Sequence, residues 1–242
     1  MSSYPFTYNQ EIGHQGQSLV PHYPGGKSGV TIGPGYDMGH RHPQQIYSDL
    51  TSAGVDPETA YALIEAAHKT GPEAGLWISQ RGGIVITEEQ QKALFENVLV
   101  PEYEQRTKDQ LANFAQSNEG FSDVNWDNLS DKQKEILFDY VYNTGSLSRF
   151  SEMTAAVLHE DWDTVSLHYE RFSDDQPLQY RNEMFFREFL DPDYVKMQEE
   201  DSLENTIELP QEPLLEGIAD LYVNNDDDSE MKNSDDWYDE RT

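Results

Sequence analysis

Apolar residues follow a helical period over most of this chain from residue 56 onward. Only one short run, Val30-Thr31-Ile32 between Gly29 and Gly33, reads as a strand. Asp56-Pro57 supplies an N-cap and a first-turn proline to a helix over ETAYALIEAAHKTG that closes on Gly71. T-E-E-Q at 87–90 is a capping box opening a second helix, which runs through QQKALFENVLV to a break or kink at Pro101. The pattern resumes over EYEQRTKDQLANF, with Tyr103, Thr107, Leu111 and Phe114 on one stripe. A second capping box, S-D-K-Q at 130–133, opens a helix in which Ile136, Leu137, Tyr140 and Val141 recur, and Asn143-Thr144-Gly145 ends it. Further helices are predicted over 150–158, 162–172 and 180–190, and residues 1–12 read as a lead-in helix or docked arm. The fold class expected is α+β, mostly α: a small β region followed by a helical body. Val30, Ile32, Leu94 and Phe95 are predicted core with the residues of the 130–145 stripe, and Trp77, Trp126 and Trp162 are read as packing residues.

Charge divides the chain. Its 242 residues carry 46 acidic and 16 basic side chains, a net charge of −30. Residues 199–242 hold 16 of the acids and 2 of the bases, among scattered apolar residues and prolines. A domain over 1–198 is therefore expected, followed by an acidic tail, 199–242, weakly structured or serving as a docking segment around LLEGIADLYV. Such acidity excludes nucleic acid as a partner, because phosphate recognition needs clustered Lys and Arg. No run of 18 apolar residues occurs, so membrane insertion is not expected. Nor does MSSYPFTYNQEIG have the basic and apolar regions of a secretory signal. There is no cysteine for disulfide, thiolate or thiolate-metal chemistry.

The stretch HQGQSLVPHYPGGKSGVTIGPGYDMGHR, residues 14–41, concentrates glycine and proline around the one strand. GGKS fails as a phosphate loop because Pro21 stands where the first glycine is required, and Gly33, Gly35 and Gly39 miss the dinucleotide spacing. His14, His22, His40 and His42 fall within 29 positions, but no pair has the helical H-E-x-x-H spacing, so neither a metal nor another cofactor is implied. Cleaving a glycosidic bond needs a proton donor and a second polar group that holds or activates water. Thr31 in the strand and Asp37 just past the Gly-Pro-Gly turn can face one cleft if the turn folds tightly.

At this point the sequence resembles a known family. SGVTIGPGYDMGHR is similar to the strand-and-turn signature of the phage-type lysozyme superfamily, and more closely to its pesticin-like branch of muramidases acting as toxins or effectors. ITEEQQKALFENVLVPEYE, LSDKQKEILFDYVYNTG and FSEMTAAVLHEDWDTVSLHYERF are similar, in order, to the helices of that family's larger lobe, so the likeness covers about 14–190. It implies a two-lobed lysozyme-like fold and hydrolysis of the β-1,4 bond after N-acetylmuramic acid in peptidoglycan. It also implies water-holding roles for Thr31 and Asp37, and a glutamate general acid in an E-G pair that aligns with Gln15-Gly16. Tyr36, His40 and Arg41 are the substrate-contacting residues expected beside them. A glutamine cannot deliver the proton, which leaves three readings. Gln15 is a silencing replacement; or Glu11, which a continuous helix would set about 5 Å away, acts instead; or the fold is a catalytically inactive module that binds glycan or protein. The partners implied are peptidoglycan glycan strands and an immunity or carrier protein. The place of action is the cell wall or periplasm of a target cell, reached without a signal peptide through a secretion system, lysis or a holin-like route.

Overall fold

The computed structural model describes residues 2–12, 17–173, 176–191 and 193. The acidic tail predicted at 199–242 lies outside the described residues. What is described is mostly helical, with one small hairpin ahead of most of the helices.

The N-terminal arm is a docked helix, α1 (Pro5–Glu11), opened by a proline in its first turn. It sinks Phe6 edge-on against Phe189 and Phe185, at centroid distances of 4.9 and 6.1 Å. Just before it, Tyr4 stacks on Phe138 at 3.7 Å. The hairpin follows, β1 (Thr31–Ile32) pairing antiparallel with β2 (Tyr36–Asp37). Loop backbone ties it down: Gly33 N–H donates to Ser18 O, and His22 exchanges two bonds with Thr31.

Helices α2 (Pro43–Ser52), α3 (Pro57–Leu63) and α4 (Pro72–Gln80) come next. The single helix expected over 57–71 is therefore corrected. It ends in a 3-10 turn at 64–66, His68 takes a left-handed φ of 61°, and Pro72 restarts a helix behind Gly71. Proline disfavours helical geometry in the residue before it but fits the first helical turn. Each of these three helices opens on such a proline.

Thr87 and Gln90 form the expected capping box at the start of α5 (Glu88–Leu94). No break follows at Pro101. A π-helical turn over Phe95–Leu99 leads directly into α6 (Val100–Ser117), and the wider turn accommodates the missing proline N–H without interrupting the helix. The second capping box, Ser130 with Gln133, opens α7 (Asp131–Thr144), and Gly145 closes it in the left-handed conformation. This is the central helix, with Glu135 through Val141 all buried.

Helices α8 (Ser151–Leu158) and α9 (Trp162–His168) pack on each other. The helix expected over 162–172 stops at His168. A few residues on, the Asn182 amide pairs with both backbone groups of Arg171, at 3.0 and 3.1 Å, and holds the chain extended into β3 (Phe172–Ser173). Strand β4 (Gln176–Pro177) returns antiparallel to it, and α10 (Gln179–Phe189) follows. The predicted core residues Val30, Ile32, Leu94, Phe95, Ile136, Leu137, Tyr140 and Val141 are all buried in one continuous cluster. Trp77 and Trp126 belong to it, and Trp162 packs on its edge.

Candidate functional site

The hairpin register sets Thr31 opposite Asp37, so the two residues singled out by the sequence share one face of the sheet. Asp37 is clamped from both sides: its Oδ2 accepts the Gly29 N–H at 3.0 Å and its Oδ1 the Gly39 N–H at 2.7 Å. Position 29 admits only glycine, because a Cβ there would lie 2.2 Å from Asp37 Oδ1. Thr31 is almost fully buried beside this clamp and donates from Oγ1 to Gly29 O at 3.3 Å.

Asp37 opens onto a cavity of about 370 Å³ between the hairpin and α6. Gly35, Asp37, His40, Arg41 and Gln45 line one side, and Glu102, Tyr103 and Arg106 the other. Arg41 braces the two sides: its Nε donates to Asp37 O at 3.1 Å and its Nη2 to Glu102 Oε2 at 2.7 Å. Burial by itself lowers the Arg41 pKa, but the bond and charge of Glu102, with Tyr36 and Asp49 beside it, together outweigh burial and hold the guanidinium above its ordinary value. Arg106 takes the other oxygen of Glu102 at 2.5 Å and lies over the Tyr103 ring at 4.7 Å. Two guanidinium groups and an exposed His40 thus face a cavity in a strongly acidic molecule.

Behind the turn sits a third carboxylate. Gly35 has a φ of 98°, and a Cβ built on it would lie 3.4 Å from Tyr142 Oη and 3.8 Å from Glu11 Oε2. Tyr142 Oη donates to Pro34 O at 2.5 Å, docking the turn on α7. Glu11, the last residue of α1, therefore reaches the Gly33-Pro34-Gly35 turn. Its Oε1 pairs with Arg181 Nη1 at 2.6 Å, and about a fifth of its side chain is exposed. Burial raises its pKa against the pull of Arg181.

Arg181 leads inward to a dry cluster. Its Nη2 binds Asp139 Oδ1 at 2.5 Å, and Arg171 Nη1 stands 2.6 Å from Asp139 Oδ2. Both Asp139 and Arg171 have no exposed surface. The Arg171 guanidinium also lies 3.9 Å over the Tyr140 ring. Burial pushes the Asp139 carboxyl up, but the two guanidiniums outweigh it and hold it below its ordinary value. Thr7 Oγ1 donates to Asp139 at 3.1 Å, and Thr7 N–H donates to Glu135 at 3.1 Å. Glu135 is pushed by burial up to about 8, with the neighbouring Asp139 charge adding to the rise.

The structure thus brings Asp37, His40 and Arg41 around one cavity, with Thr31 behind Asp37. Gln15 lies outside the described residues. Tyr36 is placed differently from the expectation: it has no exposed surface, donates to Asp49 at 2.7 Å and carries Arg41 stacked on its face at 4.4 Å. A ring so enclosed supports Arg41 and does not meet a ligand. Glu102, Tyr103 and Arg106 were missed, although their spacing at i, i+1 and i+4 is a helix-face signal. The offset of about 5 Å between Glu11 and position 15 assumed a continuous helix. The helix ends at Glu11, so the helical offset between the two positions does not apply. Arg181, 170 residues away in sequence, gave no local signal at all.

Among the described residues, no three His, Asp or Glu side chains come together in a group able to hold a metal ion. None of the described helices is long and apolar enough to cross a membrane. A family model described as a domain of unknown function, DUF8812, matches residues 5–173 of this chain, from the start of α1 to the end of β3. No curated protein matches it significantly.

Proposed function

The chain belongs to the DUF8812 family, and we propose that its cleft is a muramidase site on a two-lobed lysozyme-like fold, with Glu11 as the proton donor. The observation that carries this reading is the position of the Glu11 carboxylate against the turn that presents Asp37, together with the upward shift of its pKa by burial. A general acid must hold its proton near the working pH, and burial moves the Glu11 carboxyl in that direction; the turn it abuts carries Gly35, which lines the cavity. Asp37, fixed by two backbone N–H groups, holds the attacking water, and Thr31 stiffens the strand behind it. His40 and Arg106 face the cavity where an anionic sugar or peptide-stem carboxylate would lie. The substrate is then the β-1,4-linked glycan of peptidoglycan, and the place of action the cell wall of a target cell. An immunity or carrier protein with basic surface would suit the acidity of the chain.

The test is muropeptide release from purified peptidoglycan, followed by mass spectrometry, for the chain and for Glu11→Gln, Asp37→Asn and Gln15→Glu. The chain as it stands is expected to cut, and Glu11→Gln to lose about 10²–10⁴ in rate. Cutting by the Gln15→Glu form alone would return the donor to position 15 and mark Gln15 as a silencing replacement. One observation favours a second reading, a catalytically silent module that binds glycan or protein. Both Asp37 oxygens already carry backbone bonds, and Glu11 already holds a cation. Retention on insoluble cell wall with no release from any form would select it.

A further inference from the structure

We propose that Asp139, which has no exposed surface, is a positioning residue that sets the protonation of Glu11 through Arg181. The inference rests on the reading of Glu11 as proton donor. Arg181 is forked between two carboxylates, one terminal nitrogen on each, at 2.6 Å to Glu11 and 2.5 Å to Asp139. A guanidinium shared in this way offers Glu11 only part of its charge, and its plane is fixed by the carboxylate that cannot move. Asp139 is that carboxylate: it is on the central helix α7, held by Arg171 on its other oxygen and by Thr7 Oγ1. Thr7 and Glu11 stand one helical turn apart on α1, so the same short helix is anchored to Asp139 directly and through Arg181.

The groups that face Glu11 come from four elements. Arg181 approaches from α10, Asp139 and the Tyr142 phenol from α7, the Tyr103 phenol from α6, and Arg171 from the segment before β3. With both acids ionised, Glu11, Asp139, Arg171 and Arg181 sum to zero charge. Loss of the Asp139 charge would leave two guanidiniums with one carboxylate and hold Glu11 ionised to lower pH. Loss of the Arg171 charge would do the reverse, because Asp139 would then turn more of its charge on Arg181. A residue that served only to fill space would produce no such pair of opposite shifts.

The experiment follows the Glu11 side-chain carboxyl by 13C NMR in the full chain, with the resonance assigned by its loss in Glu11→Gln. The titration midpoint is expected to move down in Asp139→Asn and up in Arg171→Gln, with circular dichroism confirming that each is folded. An unchanged midpoint in folded Asp139→Asn, or a shift of the same sign in both variants, overturns the inference. Where Asp139→Asn does not fold, Arg171→Gln decides: an upward midpoint sustains the inference and an unchanged one overturns it. The basic limb of the pH profile for muropeptide release should move with the midpoint in each variant. Opposite midpoint shifts without release from any form would uphold the wiring and bring down the enzyme reading alone.

Discussion

The cleft and the cluster behind it use the same residue types to opposite ends. In the cleft, Glu102 is shared by Arg41 and Arg106, and the Arg106 side chain is 55% exposed. In the cluster, Asp139 is shared by Arg171 and Arg181, and neither Asp139 nor Arg171 is exposed at all. Water screens the Arg106 end of the first arrangement, so that pair can open, rotate and take a ligand at little cost while Arg41 stays braced. The second has no water to fall back on, and every charge in it depends on its partner. Glu11 stands between them, its Oε2 toward the turn and its Oε1 on the buried fork. For the proton donor proposed above, that place would set the turn presenting Asp37 on one side and a fixed field on the other.

Deleting the hub of the dry cluster should have the largest effect on stability. Asp139→Ala leaves two cations in the interior without their carboxylate and is expected to cost about 3–5 kcal/mol, read by urea unfolding at neutral pH. Glu135→Gln comes next, and it tests the cluster's uncharged end. The Glu135 pKa rises on folding from about 4.5 to about 8. Its contribution is therefore complete below the lower value and lost as pH climbs through the upper one. Between them the folded state holds a proton that the unfolded state has released, so stability falls by at most about 1.4 kcal/mol per pH unit from this group. The glutamine variant still accepts from Thr7, and thermal melts between pH 5 and pH 9 should show a flatter dependence for it. Smallest is Arg106→Ala, with its pair on the wet side, expected within about 1 kcal/mol. A loss from Arg106→Ala as large as that from Asp139→Ala would erase the contrast between the two regions.

Local signals made some of this legible in the sequence. Both capping boxes, at Thr87 and at Ser130, stand where S/T-x-x-Q put them, and the stripe Ile136, Leu137, Tyr140, Val141 is buried as its period required. The strand at Thr31 and the Gly-Pro-Gly turn before Asp37 were legible, but the return strand that pairs the two was not. Helices α2 and α4 were not resolved in the sequence, because each starts at a proline that also reads as a loop signal. The Tyr36 ring was misjudged because strand alternation says which face a side chain takes, but not whether a helix covers that face. Least legible was the fork at Arg181. It joins α1, α7 and α10 through side chains 42 and 170 positions apart, and no window of sequence contains such a contact.

The π turn at Phe95–Leu99 also has a consequence for how the chain can change in length. In an unbroken α-helix Phe95 and Thr107 would point about 120° apart, whereas one surplus residue taken up in a wide turn brings them to within about 20°. Both are in fact buried. The turn is thus an insertion already absorbed. A single deletion between 95 and 99 would leave Glu102, Tyr103 and Arg106 facing the hairpin as before, and its cost would fall at Pro101, which the wide turn now accommodates. The same deletion just after Tyr103 would swing Arg106 and the stripe through Phe114 by about 100° relative to the hairpin, taking one wall of the cleft with it.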